Sequence, residues 1–373
     1  MNRIMAFIQL VFKKIFAEMM RVRRRFYLLS LRANPYINAL SYRVFQKRFR
    51  LSAEAKEFSH GENSFILYRI IGNSLPPRHD NKQTLDNLRH QLENEAQLDN
   101  CIKYWIVNRI FDSDVRNSVV SILKKHQQKY FEIPFDENEY ATISIDQDRE
   151  RVLELLENED LSDFELVERA ELAALRLKRL YIMNINGARN AAIEHGRSRA
   201  KWILPWDGNC FLTPMSWRKI TDDVQTSSHI PYHIVPMARV VENQMLSNES
   251  SPPEAKEEPQ VIFHRLSEDT FNENIPYGRR PKVEFLRRIG LWGPWERWQN
   301  DAWDVGQDNF MRLKYAYNVS SGWVYRLSSG RPQLEIGKNS DKQRMINRNQ
   351  AILAAIHRID NTIKRSENLA PRK

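Results

Sequence analysis

Cysteine is scarce in this 373-residue chain, and long apolar runs are missing. The two cysteines, Cys101 and Cys210, lie far apart and in no metal-like spacing, which argues against a disulfide scaffold or a zinc ribbon and fits a reducing compartment. No stretch of about 18 or more apolar residues occurs, so the sequence predicts no transmembrane helix. Hydrophobic and charged contents of 42% and 28% are ordinary for a soluble globular protein of one or two domains.

Positive charge is concentrated at the N-terminus. The formal net charge is +10, and residues 1–50 carry twelve Lys or Arg against one acid, Glu18. This segment therefore holds a net +11, and the other 323 residues sum to −1. A balanced body argues against nucleic acid as a partner, because nucleic-acid binding relies on basic surface.

The N-terminal segment has one apolar helical stripe with cationic flanks. The stripe repeats at three-to-four spacing through Ile4, Phe7, Ile8, Val11, Phe12, Ile15, Phe16 and Met19. A basic amphipathic helix of this kind favours the anionic surface of a membrane, where each basic residue contributes about 1 kcal/mol. The sequence thus predicts peripheral attachment to the cytoplasmic (inner) face of a membrane. Two alternatives are a mitochondrial transit peptide, for which serine is scarce, and a helix packed on the domain or on a second subunit.

Strand-like and helix-like segments alternate along the body. Buried-type strands are predicted at 64–71, 102–110 and 130–134, with helices at 83–98 and 115–126 between them. This alternation is typical of an α/β fold with a parallel sheet. Residues 146–180 are charged and helical, and strands at 233–241 and 260–266 flank a polar loop, which predicts a hairpin. We expect three parts: a basic amphipathic segment over 1–60, a main domain over 61–335, and a C-terminal helix with a basic tail over 336–373.

One region carries most of the functional information. The sequence Asn-Ile-Asn-Gly-Ala-Arg-Asn-Ala-Ala-Ile at 184–193 predicts a helix that opens on a glycine and a basic residue. Lys-Trp-Ile-Leu-Pro-Trp-Asp-Gly-Asn at 201–209 predicts an apolar strand that ends in an acid, Asp207. Carboxylates at the carboxyl end of a strand in an open α/β sheet lie where ligands bind. Taken alone, Asp-Gly-Asn is also an ordinary turn sequence, and Gly187 an ordinary helix-entry residue.

This pattern resembles the central signature of GT-A glycosyltransferases, especially family 2, in which an A-R-N-x-(A/G) helix start precedes W-I-x-x-x-D-x-D. Asn209 stands here in place of the second aspartate. The resemblance implies a GT-A-like, Rossmann-type mixed sheet with flanking helices, and an inverting hexosyltransferase that uses a UDP- or GDP-sugar. It also implies that Asp207 and Asn209 hold Mn²⁺ or Mg²⁺ on the donor diphosphate. The implied nucleotide or phosphate contacts are Arg69, Arg78, Arg189 and Asp207, with Asp112 as a base or ribose acceptor. For Arg69, within a strand, a structural salt bridge is an equally good account.

An inverting transfer needs a general base on the acceptor hydroxyl. Family 2 enzymes usually have an E-D pair about a hundred residues after the metal motif, and Gln307-Asp308 occupies that place here. Asp308 is therefore the implied base, with Asp304 and Asp301 as alternatives. His264 is a candidate third metal ligand, although a structural histidine is the simpler interpretation.

Residues 275–310 are rich in aromatic and basic side chains, including four of the nine tryptophans. Such a mixture suits carbohydrate, whose C–H faces stack on aromatic rings, although part of it is expected to be core. The leading hypothesis is therefore a glycosyltransferase that acts on a polysaccharide or glycolipid in cell-surface synthesis. The alternatives are a non-catalytic carbohydrate-binding protein on a decayed GT-A fold, and an enzyme that processes nucleic acid or phosphate.

Overall fold

The protein is described here from a computed structural model that covers residues 49, 52–79, 82–157, 163–243, 246, 252–296, 301–304, 316–328 and 340–369. The chain divides into two compact units, Met1–Ser52 and Ala53–Lys373. The amphipathic N-terminal helix predicted from the sequence lies outside the described residues. Everything below concerns the larger unit.

A mixed sheet forms the centre of this unit. Its strands are β1 (Phe65–Ile71), β2 (Cys101–Asn108), β3 (Lys129–Ile133), β4 (Trp202–Asp207), β5 (Cys210–Phe211), β6 (Tyr232–Arg239), β7 (Glu257–His264), β8 (Tyr317–Val319) and β9 (Val324–Arg326). Within the described residues the order is β3-β2-β1-β4-β7-β6-β9-β5, and β8 pairs with β6 beside β9. The first four strands are parallel, and β7 is antiparallel to both β4 and β6.

Helices flank this sheet. They are α1 (Ala53–Ser59), α2 (Gln83–Asn94), α3 (Ser113–Lys125), α4 (Glu137–Ala141), α5 (Asp146–Leu156), α6 (Phe164–Ala174), α7 (Arg176–Met183), α8 (Ile185–Arg197), α9 (Pro214–Thr226), α10 (Pro281–Arg288) and α11 (Ser340–Leu369), with a 3₁₀ turn at Pro294–Glu296. The predicted α/β class, with its mixed sheet and flanking helices, is confirmed. The predicted hairpin across the polar loop is confirmed as the antiparallel pair β6–β7.

The sheet curls, and the connection between β4 and β5 requires it. These strands are separated by Gly208 and Asn209 alone, yet β5, which pairs with β9, lies four places along the sheet from β4. Three Cα–Cα steps of about 3.8 Å each span this connection, so the far edge has to bend back toward the end of β4. Asp207 therefore lies at a crowded junction of strand ends.

Every residue of β1 is buried, as is nearly every residue of β4, because both faces of the sheet are covered. Helix α8 lies very close to β4: a Cβ at Gly196 would come within 2.8 Å of the Ile203 side chain. Helix α11 packs through Ile352 and Ile356, both fully buried, against α7 and the loop after β1. These contacts hold α7, α8 and α11 around the carboxyl edge of the sheet.

Candidate functional site

A cleft of about 1470 Å³ opens at the carboxyl edge of the parallel strands. Ile71, Asn108 and Asp207, which end β1, β2 and β4, all line it. Arg239 and Arg326, at the ends of β6 and β9, also line it, since both strands run in the direction of β4. In open α/β sheets this edge is where ligands bind.

Asp207 is the last residue of β4 and faces three polar side chains. Its Oδ1 accepts a hydrogen bond from Arg189 Nη2 at 2.6 Å. Its Oδ2 accepts from Gln260 Nε2 at 2.9 Å and from Lys282 Nζ at 3.4 Å. Burial by itself would raise the pKa of the Asp207 carboxyl, but Lys282, Arg189 and the Gln260 hydrogen bond hold it well below its usual range.

The two cations on Asp207 come from helix starts. Arg189 is in the first turns of α8, is 4% exposed, and also donates to Asn186 Oδ1 at 2.9 Å. Lys282 follows Pro281, the first residue of α10, and is 2% exposed. A proline there is compatible with a helix start because that N–H has no partner inside the helix. Both side chains are held by packing and aimed at one carboxylate.

Gly208 is required by the close approach of β1. A Cβ at this position would lie well inside van der Waals contact of the Ile70 carbonyl oxygen. Asn209, next along, lines the cleft and accepts a backbone hydrogen bond from Leu327 N at 2.9 Å. The Asp-Gly-Asn sequence is therefore a tight strand exit that places Asp207 at the cleft floor.

Basic side chains outnumber acidic ones twelve to six in the lining. The basic residues are Arg78, Arg169, Arg189, Arg239, Lys256, Arg279, Arg280, Lys282, Arg326, Lys342, Arg344 and Arg348, and the acidic residues are Glu165, Asp207, Glu254, Glu257, Glu258 and Asp301. The surplus of six positive charges contrasts with the net −1 of residues 51–373. The cleft is thus a cationic pocket in an otherwise balanced body, which favours anionic ligands.

Every acid in this lining has a basic partner. Glu257 pairs with Arg239 at 2.7 Å and with Arg326 at 2.9 Å. Burial would raise the pKa of Glu257, but Arg326 and Arg239 lower it to about 2. The other pairs are Glu165–Lys342 at 2.7 Å, Glu254–Lys256 at 2.8 Å, Glu258–Arg280 at 3.9 Å and Asp301–Arg169 at 3.2 Å.

Two predicted nucleotide contacts lie outside the cleft lining. Arg69 is buried in an ion pair with Glu95, which also binds Lys103 at 2.8 Å, so the structural alternative describes it. Asp112 is the N-cap of α3 and accepts from Asp114 N and Val115 N, both at 3.2 Å. Its side chain stabilises a helix start and does not line the cleft. Arg78, by contrast, lines the cleft and is 5% exposed.

The predicted acid–base residues are only partly described. Asp304 pairs with Arg279, whose Nε donates to Oδ1 at 2.7 Å, and it borders a small side cavity rather than the main cleft. Asp301 lines both spaces. Asp308, the implied base, and Gln307 lie outside the described residues. The Asp308 assignment therefore stays a prediction.

His264 is structural. Its ring packs against Phe58 and Trp202, with ring centroids 4.9 Å away in each case, and Nδ1 accepts from Leu266 N at 3.1 Å. His264 pairs with Trp202 at the start of β4, whereas Asp207 ends that strand. The six-residue strand puts the two side chains about 16 Å apart along the sheet, too far to share a metal ion.

Among the described residues, the side chains at Asp207 do not form a site suited to a divalent metal ion. Both carboxylate oxygens already accept from cations or an amide, and the described residues contain no group of three or more His, Cys, Asp or Glu side chains that could hold an ion. Mg²⁺ and Mn²⁺ prefer several oxygen ligands. Arg189 and Lys282 supply positive charge at the point where the resemblance implies a metal.

The aromatic segment divides between cleft and core. Tyr277 and the half-buried Trp295 line the cleft. Trp303 instead packs against Val152 and Ala170. Sequence reasoning missed Lys282, Gln260 and the Arg239–Glu257–Arg326 group. The Gly-Arg-Arg-Pro-Lys run at 278–282 was the available signal for Lys282, whereas the others follow from strand pairing alone.

Comparison of the chain with protein-family models, with curated proteins and with solved structures gives no match. Among the described residues, no helix combines the length and the apolar character needed to cross a membrane. A functional conclusion therefore depends on the cleft and its charges.

Proposed function

We propose that this protein is a GT-A-like glycosyltransferase that moves a sugar from a UDP- or GDP-sugar to a polysaccharide or glycolipid acceptor. The observation that carries the proposal is the cationic cleft built around Asp207 at the carboxyl edge of the sheet. A nucleotide sugar bears its negative charge on the diphosphate, and its leaving group gains charge as the glycosidic bond breaks. Fixed cations in a partly dehydrated cleft stabilise that change most effectively.

The residues nearest Asp207 have clear roles under this proposal. Arg189 and Lys282 are held by Asp207 and present cationic groups at the strand end, and Arg78 adds a third from the loop after β1. These side chains would bind the diphosphate and orient the donor. Because these side chains supply the positive charge that the diphosphate needs, no step of this mechanism requires a metal ion.

Aromatic residues in the same cleft suit the sugar and the acceptor. Tyr277 and Trp295 offer aromatic faces beside polar partners. In an inverting transfer a carboxylate removes the proton from the acceptor hydroxyl as it attacks the anomeric carbon. Asp308 is the residue we propose for this step, and the basic N-terminal segment would hold the enzyme at a membrane face where such acceptors are assembled.

Nucleotide binding is the first experiment. Isothermal titration of UDP and of GDP, in EDTA and then with Mn²⁺, should give saturable binding in EDTA. Lys282→Met should weaken it about tenfold or more, because a charge-assisted contact to phosphate is lost. Lys178→Met is the matched control, since Lys178 pairs with Asp360 at 2.7 Å and lines no described cavity. An equal loss of nucleotide affinity in the two variants, or no binding of either nucleotide to the wild type, would contradict the proposal.

A non-catalytic carbohydrate-binding protein on the same fold is the second candidate. It is favoured by Asn209 in place of an aspartate and by the pairing of Asp207 with two cations. The two candidates differ in their products: mass spectrometry of acceptor oligosaccharides incubated with UDP- and GDP-sugars detects transfer in the first case alone. Glycan binding that is unaffected by either nucleotide would favour the second.

A further inference from the structure

Two arginines meet at the Tyr277–Gly278 backbone, where the main cleft adjoins the small side cavity. Arg179, from α7, donates through Nη2 to the Tyr277 carbonyl. Arg348, from α11, donates through Nη2 to the Gly278 carbonyl at 3.3 Å. Arg348 borders both spaces, and Arg179 borders the side cavity. Two helices far apart in sequence therefore bring their guanidinium groups to one stretch of backbone.

Gly278 shows how closely the two groups converge. Its φ of +87° is a left-handed conformation that favours glycine. A Cβ there would lie 2.7 Å from Arg179 Nη2 and 2.8 Å from Arg348 Nε. Both guanidinium groups therefore occupy the space that a side chain at this position would need.

These two arginines differ from their neighbours in their partners. Arg176 binds Asp148 at 3.0 Å, Arg169 binds Asp301 at 3.2 Å, and Arg279 binds Asp304. Within the described part of the chain, neither Arg179 nor Arg348 has a carboxylate at ion-pairing distance, although the more distant charge of Glu258 acts to raise the pKa of Arg348. Both Nε–H groups are buried without an acceptor. Their described polar partners are backbone carbonyl oxygens.

Such an arrangement is unfavourable without a ligand. Arg179 is 4% exposed, and burial, followed by the charges of Arg348 and Arg279, lowers its pKa to about 9. Burying a cation without a counter-charge is costly, and a second cation beside it adds repulsion. An anion at this point would satisfy the free Nε–H donors and offset both charges.

We propose that Arg179 and Arg348 form a phosphate-binding site beside the main cleft, separate from the cations around Asp207. Two guanidinium groups match a phosphate in charge and can each donate to two of its oxygens. The phosphate would come from a lipid headgroup or from free phosphate. The site does not depend on the proposed glycosyl transfer, because it is defined by these side chains alone.

The test is a titration of the full-length protein with inorganic phosphate, in the absence of nucleotide and again with saturating UDP. Arg179→Gln and Arg348→Gln should each weaken phosphate binding about tenfold or more. Arg116→Gln, in an exposed pair with Glu132, should leave it unchanged. Arg179 does not line the main cleft, so Arg179→Gln should bind UDP normally. Loss of UDP binding in that variant would assign the arginines to the donor and overturn a separate site.

The melting temperature gives a second readout. Removing a structural arginine should lower it, whereas removing an unpaired ligand-binding arginine should not. In phosphate-free buffer at low ionic strength, Arg179→Met should melt at the same temperature as the wild type or higher, because an unpaired buried cation has been removed. Phosphate should then stabilise the wild type and not the variant. If Arg179→Met melts well below the wild type and phosphate stabilises both equally, the arginine is structural and the proposal fails.

A soluble short-chain phosphatidic acid, titrated in parallel, separates the two sources of phosphate. Tighter binding of the lipid than of inorganic phosphate, lost in Arg348→Gln, would support a lipid headgroup. Equal binding of both, lost in the same variant, would support free phosphate. If neither ligand binds in a manner that depends on Arg179 and Arg348, there is no such site, whatever the outcome with UDP.

Discussion

Asp207 holds two buried cations in place at the cleft floor. Arg189 and Lys282 approach different oxygens of the carboxylate, at 2.6 Å and 3.4 Å, and Gln260 supports the second oxygen. A buried ion pair that is fully hydrogen-bonded fixes the geometry of its members, although it adds little net stability compared with apolar packing. Asp207 is therefore expected to position the cations that contact the ligand.

The variant Asp207→Asn separates this role from metal binding. Removing the negative charge should leave the affinity for UDP or GDP in EDTA unchanged or higher, because the phosphates then face less repulsion. The free energy of unfolding should fall by about 1–3 kcal/mol, since two buried cations lose their counter-charge. Asp360→Asn is a control of similar exposure, in a single pair with Lys178. Loss of nucleotide binding, together with a wild type that requires Mn²⁺, would instead make Asp207 a metal ligand.

At this scale, two residues of the sequence motif, Asp207 and Arg189, line one cleft together with a further candidate, Arg78. These residues belong to local patterns, a strand end and a helix start, which spacing can reveal. Lys282 and Gln260 come to Asp207 from 75 and 53 residues away, through α10 and the β6–β7 hairpin. No local pattern encodes such contacts.

Among the strands and helices, the junction of β1 with the end of β4 has the least room. A side chain at Gly208 would collide with the Ile70 carbonyl, which is backbone and cannot rotate away. Gly208→Ala should therefore cost about 1–3 kcal/mol of unfolding free energy, as overpacking usually does. A Cβ at Gly72, one residue past β1, would have no other atom within 4 Å, so Gly72→Ala is the matched control.

Urea unfolding of both glycine variants checks this. The control should stay within about 0.5 kcal/mol of the wild type, as surface substitutions usually do. If both variants unfold like the wild type, the strand ends can separate without cost and the Asp-Gly-Asn exit is an ordinary turn.

The longer elements could be predicted because their sequences have clear periods. β1, β4 and α11 follow from buried-type runs and a helical stripe. β5, β8 and β9 have two or three residues each, too few to show any period, and sequence reasoning missed them. α2 ends at Asn94 rather than at the predicted residue 98, where Leu98 instead packs in the core beside β1.

At the scale of the whole molecule, the net charge does not reveal the cationic cleft. Residues 51–373 sum to −1, yet the cleft lining carries six more basic than acidic residues. A concentrated field of one sign raises the local concentration of oppositely charged ligands. Composition could therefore argue against nucleic acid as a partner but could not reveal a cationic cleft.

Acid sensitivity is expected from two buried histidines beside Trp202. Burial lowers the pKa of both His233 and His264 to about 3. In the unfolded chain each pKa is about 6.5, so below that pH the unfolded state binds more protons and stability falls as pH falls. The loss should be about 1 kcal/mol per pH unit for each ring between roughly pH 6.5 and 4.

Urea unfolding at pH 7.5 and 5.5 measures this loss. His233→Phe should reduce the difference between the two pH values by about half, because one of the two titrating rings is gone. His357→Phe is the control, since His357 is 54% exposed and pairs with Glu171 on the surface. An unchanged difference in His233→Phe would show that other groups cause the acid sensitivity.

Membrane attachment is the last prediction, and it concerns the N-terminal unit. Residues 1–50 hold a net +11 and an apolar stripe, whereas the larger unit, Ala53–Lys373, forms a separate compact body. A variant that lacks residues 1–52 should therefore fold, bind UDP or GDP as the full-length protein does, and no longer sediment with anionic vesicles. Each lost basic residue removes about 1 kcal/mol of attraction near such a surface, so the full-length protein should also dissociate as salt is raised. Vesicles of neutral phospholipid are the control, and sedimentation of the shortened variant with anionic vesicles would place the membrane contact in the larger unit.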